Sequence, residues 1–161
     1  MQKYYTDVQV DFIKKFPKIE RGFFSQDDEN IYIAYSTENY IATMHVIPKF
    51  AFILDYERLE SMWKEIPMDS IRSIIMEGSE FQFAERVGTR LYKARNKREK
   101  DTVCTVLENE KHTVYVDNRL LKLFPKDARF YVSGIKTAVR VYIGEPEEDT
   151  FLGIVMPFRR E

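Results

Sequence analysis

The chain has a single cysteine, Cys104. That excludes an intrachain disulfide and any cysteine-based metal site. Histidine is almost as scarce. His45 and His112 are far apart, and neither has an H-x-x-x-H or H-E-x-x-H neighbourhood, so no metal or other cofactor is expected. There is no G-x-x-x-x-G-K-[ST] and no G-x-G-x-x-G, hence no loop built to cradle a nucleotide. No apolar run approaches the roughly 18 residues that a membrane span needs. The start at Met1 lacks a basic, then apolar, leader, so no signal peptide is expected and the reading is cytoplasmic. Neither sign of charge dominates: 25 Lys and Arg stand against 26 Asp and Glu. Wholesale coating of nucleic acid is therefore not expected, although a local basic face is.

Apolar residues, at 44%, are plentiful enough to build a core, so disorder is excluded. Aromatic and β-branched residues are frequent while Gly and Pro number six each, which favours a mixed α and β fold. A chain of 161 residues suits one domain.

Local patterns divide the chain into three units, at about residues 8–48, 52–108 and 112–160. In the first, residues 10–16 (VDFIKKF) predict a helix with Asp11 as N-cap and Pro17 as stop. Ile31, Ile33 and Tyr35 alternate as in a half-buried strand, Glu38-Asn39 marks a turn, and residues 40–47 return as a second strand. Phe23 and Phe24 read equally as core or as a contact patch. In the second unit Asp55 caps a helix with Leu59, Met62, Trp63 and Ile66 on one face. Residues 70–76 then predict a strand, Phe81 and Phe83 a second, and 89–94 with 103–107 a hairpin. The third opens with a helix at 117–124, capped by Asp117 and stopped by Pro125. Strands at 129–132, 138–143 and 151–156 follow, with Gly134, Gly144 and Pro146 at the turns.

The first and third units share a spelling. Val10-Asp11 leads to FIKKFPK and Val116-Asp117 to LLKLFPK, each followed by strands. The match is either a true internal repeat, with the middle unit a looser copy, or a coincidence between two amphipathic helices that end at Pro. A unit of one short helix and a few strands cannot bury its own face. Units joined edge to edge predict an α+β fold, a continuous antiparallel sheet with the helices packed on one face. Open edges at its two ends favour a homo-oligomer.

The C-terminal third, from Val116-Asp117 through Leu120, Leu121 and Phe124 to Ile154-Val155-Met156-Pro157-Phe158-Arg159, resembles the last part of a bacterial DNA polymerase sliding clamp, the beta subunit. The resemblance covers roughly the final 50 residues, and the rest only through the repeated unit. It implies a DNA-clamp-like domain with helices lining the inner face of a ring. It also implies a groove for short linear peptides of replication proteins, to which Ile154, Met156, Pro157, Phe158 and Arg159 would contribute. A family clamp has three such domains and closes as a dimer, whereas this chain supplies about one, so a ring would need several copies. The charged ending Arg160-Glu161 also departs from the family.

The most basic stretch is 86–100. Arg86, Arg90, Lys93, Arg95, Lys97, Arg98 and Lys100 carry seven positive charges, with only Glu85 and Glu99 beside them. It reads as a site for the phosphates of double-stranded DNA, bound without base readout, or else as an ordinary solvated loop. The acidic runs at 27–29 and 145–149 read as turns, Trp63 as core and Cys104 as a small core residue. No complete catalytic constellation can be assembled, so the expectation is a non-enzymatic clamp-like scaffold of DNA replication or of a mobile element. The alternative is a protein-binding module of similar fold that ignores nucleic acid.

Overall fold

A computed structural model describes residues 1–15, 22–37 and 40–159. Among the described residues four α-helices accompany one ten-stranded mixed sheet, so the α+β expectation holds. The elements are α1 (Gln2–Lys15), β1 (Gly22–Gln26), β2 (Asn30–Thr37), β3 (Tyr40–Pro48), α2 (Tyr56–Met62), β4 (Lys64–Glu65), α3 (Met68–Met76), β5 (Gln82–Tyr92), β6 (Thr102–Glu108), β7 (Thr113–Asp117), α4 (Asn118–Leu121), β8 (Arg129–Val132), β9 (Val139–Tyr142) and β10 (Phe151–Val155).

The sheet order is β4-β1-β2-β3-β10-β9-β8-β5-β6-β7, antiparallel except where β4 meets β1. The meander β1-β2-β3 and the meander β8-β9-β10 meet through their last strands, with Ile154 opposite Met44. Read outward from that seam, the two are mirror images in order. Each follows a helix, α1 or α4, and both helices lie on the same side of the sheet. Tyr4 and Leu120 pack against both hydrophobic clusters of that side.

Strand alternation sorts the apolar side chains. Ile31, Ile33 and Ile47 turn towards α1, where Val8, Phe12, Leu59 and Trp63 close over them. Val139, Val141, Phe130 and Val132 turn the same way, under Leu121 and Phe124. Their neighbours Tyr32, Ala34, Met44, Val46 and Ile154 face the opposite side and are covered by α3 through Ile71, Ile74 and Ile75.

This second layer corrects two expectations. Residues 70–76 are helix, not strand, because Ile71, Ile74 and Ile75 recur at helical spacing and together cap one patch of sheet. Helices therefore cover both faces of the sheet rather than one. The middle unit is also no copy of the others, since two helices precede a single hairpin there. α1 begins at Gln2, so Asp11 lies within it and not at its cap. The proposed stop at Pro17, the shared residues Phe16 and Lys18, the turn at Glu38-Asn39 and the ending Arg160-Glu161 lie outside the described residues. The caps at Asp55 and Asp117 are as expected: each side chain accepts a hydrogen bond from a first-turn N–H, of Glu57 and Arg119.

Candidate functional site

The most basic stretch of the sequence lies in the hairpin of β5 and β6. Its two strands pair from Glu85 with Glu108 out to Tyr92 with Thr102. β8 supports β5 only as far as Ala84, and β7 supports β6 only as far as Cys104. Beyond Cys104 only the pairs of Leu91 with Val103 and Tyr92 with Thr102 lack a third strand among the described residues, and with the turn at 93–101 they form a short arm. Its end is closed by local bonds. The Asn96 side chain accepts from the Arg98 N–H at 2.9 Å, and Asp101 accepts from the Ala94 N–H at 2.7 Å.

The basic residues divide along this arm. Lys93, Arg95, Lys97, Arg98 and Lys100 all lie at its tip and all are exposed. Arg95 meets Glu99 at 2.9 Å, an exposed pair worth no more than about 1 kcal/mol. Arg86 and Arg90 lie at the root and on opposite sides. Arg86 sits over the Phe130 ring, 4.9 Å from its centre, on the side that carries α4. Arg90 is 4.6 Å from the Tyr92 ring and 5.2 Å from that of Tyr115 on the other. The seven residues thus make one exposed cluster of five and two anchored arginines.

The C-terminal residues, for which the resemblance implied a peptide groove, lie partly in the core. β10 lies mid-sheet between β3 and β9, and Ile154 is wholly buried beneath α3. Pro157 is buried and Met156 partly so. The tail then crosses to β7, where the Phe158 N–H donates to the Tyr115 carbonyl at 2.7 Å and the Phe158 ring lies 5.0 Å from Tyr92. Arg159 is exposed and donates to the Lys136 carbonyl. Ile154 and Pro157 are thus core residues, while Met156 and Phe158 stay half-buried and Arg159 exposed.

Two groups with catalytic potential are held inert. The Cys104 thiol is buried, and burial, helped by the Asp117 charge, pushes its pKa up to about 11. At neutral pH it stays protonated. His45 is fully buried, and burial lowers its pKa to about 3. Tyr4 donates its hydroxyl proton to His45 Nδ1 at 2.8 Å. Thr43 gives its own proton to the Ile154 carbonyl, so its oxygen accepts from His45 Nε2 at 3.1 Å. Phe124 stacks on the imidazole with ring centres 4.3 Å apart. His45 is a satisfied core residue that ties α1 to the seam between β3 and β10. Among the described residues no group of three His, Cys, Asp or Glu side chains is placed to hold a metal ion, and no helix is long and apolar enough to cross a membrane.

Sequence reasoning missed two features. An aromatic row, Phe83, Tyr131, Tyr142 and Phe151, crosses four strands with ring centres 5.3 to 5.8 Å apart. Nothing in the local pattern could align those strands. The second is a cavity at the root of the arm, between Arg86 and the segment after α4, whose signal is the pair Lys122 and Lys126 flanking Pro125. Comparison with protein-family models, with curated proteins and with solved structures yields no match.

Proposed function

We propose that the chain is a non-enzymatic scaffold that holds double-stranded nucleic acid by its phosphates, through the tip of the β5–β6 arm. One observation carries this reading. Five cations, Lys93, Arg95, Lys97, Arg98 and Lys100, are exposed together in the turn that joins β5 to β6, while the chain as a whole is balanced in charge. Phosphate contacts from such a tip position a protein on a duplex without reading sequence. In its finer form the reading is clamp-like and associated with replication or a mobile element, with several copies surrounding the duplex. What supports that form is the mirrored order of the two meanders and the common side of α1 and α4.

The test is fluorescence anisotropy with a labelled 30-bp duplex at low salt, about 50 mM. Wild-type protein should bind. A variant with all five tip cations changed to Gln should lose at least about tenfold in affinity. Equal binding by the two would overturn the assignment to the tip.

A second reading is favoured by the apolar side chains of the same arm. Val87, Leu91 and Val103 are 52%, 51% and 45% exposed, which suits a protein partner. Salt separates the two readings, since a partner held by these residues would survive an ionic strength that releases the duplex.

A further inference from the structure

At the root of the arm, on the side that carries α4, lies an open cavity of about 190 Å³. Its wall is made by Arg86 and Thr105 from the hairpin, Asn118 and Leu121 from α4, and the segment that runs from Lys122 to Lys126. Three of these residues are cations, and no carboxylate lines the cavity. Arg86 is held in place by its stack on Phe130 and by a bond from its Nη1 to the Lys126 carbonyl at 3.2 Å. Neither Lys122 nor Lys126 has an ion-pair partner among the described residues, and neither does Arg86. Thr105 donates its hydroxyl to Asn118 Oδ1 at 3.1 Å, so the amide nitrogen of Asn118 is left as a donor at the wall.

A fixed guanidinium, two lysines that can converge and an amide donor form a set that suits a tetrahedral anion. The cavity is smaller than the roughly 300 Å³ at which drug-sized ligand sites begin. It accepts a phosphate group and leaves no room for an enclosed nucleoside. We propose that Arg86, Lys122, Lys126 and Asn118 form a phosphate-binding site. Resting on the nucleic-acid reading above, the site takes a backbone phosphate of the duplex that the arm engages. Arg86 starts the hairpin's outer part, and β5 ends at Tyr92, six residues further on, about 20 Å along a strand. The two contacts would then fix the angle at which the arm meets the duplex.

The experiment uses amide NMR spectra of the full chain, with inorganic phosphate in one arm and a 30-bp duplex in the other. Saturable shifts of Asn118, Lys122 and Lys126 are expected with both probes. They should weaken about tenfold in Lys122→Gln/Lys126→Gln, with the remaining spectrum unchanged. Shifts with phosphate but not with duplex would keep the site and assign it to a free phosphorylated ligand, whatever becomes of the tip. Shifts with duplex alone would keep it as a backbone contact. Loss of duplex binding in the tip variant, with the phosphate shifts intact, would test the arm separately. The site is overturned if neither probe moves these amides, or if the double variant responds as the wild type does. Arg86→Lys, which keeps the charge but loses the fork, should bind phosphate more weakly than wild type while folding normally.

Discussion

A proton added to His45 would bring an uncompensated charge into the core, because the groups that face it are Tyr4, Thr43, Phe12 and Phe124. Above the unfolded value of 6.5 the imidazole is neutral in both states and adds no pH dependence. Between 6.5 and about 3 only the unfolded chain takes up the proton, so stability falls as the pH drops. The slope reaches about 1.4 kcal/mol per pH unit. His45→Phe keeps a ring against Phe124 and removes the titrating group. Urea midpoints at pH 7 and pH 5 should therefore differ less in the variant than in wild type, by about 2 kcal/mol, and equal differences would contradict this account. Gly153 is a second sensitive position. Its φ is +146°, and an added Cβ would stand 1.9 Å from the Met44 carbonyl oxygen. Gly153→Ala should cost roughly 3 kcal/mol, measured by thermal unfolding. Neither role was legible in the sequence, because both depend on the β3–β10 pairing. The caps at Asp55 and Asp117 were legible, since a cap depends only on the next turn of chain.

Among the elements, β8, β9 and β10 could be read almost to the residue, whereas β7 was not read as a strand. Their apolar runs are short and bounded by Gly or Pro. α3 was misread because its β-branched isoleucines favour strands over so short a span, and only the sheet face they cover reveals the helical period. Ile71 is that helix's buried anchor. Ile71→Ala should lower stability by about 3 kcal/mol in a denaturant titration. The tip of the arm makes the opposite prediction. Its five cations are exposed, and its turn is closed by bonds among its own residues. Replacing residues 93–101 with Asn-Gly should leave the unfolding free energy within about 1 kcal/mol of wild type and abolish duplex binding. A variant that unfolds would show that the tip serves the fold.

At the scale of the whole molecule, the sheet is built by pairings that no local pattern announces. β3 joins β10 and β5 joins β8 across long separations in sequence, and these two seams turn three units into one layer. The α+β class was legible in the alternation of helical and strand periods. The order of the strands, the helix on the second face and the place of the arm in the sheet were not. The clamp-like form of the proposal belongs to this scale, and light scattering with and without long duplex DNA checks it. A closed multimer is expected, while a monomer under both conditions would leave the arm to act alone. The central claim, that the arm holds duplex by its phosphates, is tested most directly by the salt dependence of binding. If all five tip cations each displace a counterion, the logarithm of affinity should fall with the logarithm of salt at a slope of about −4 to −5. Changing Lys97 to Gln should reduce that slope by about 1. A slope near zero, or one unmoved by the substitution, would contradict the account.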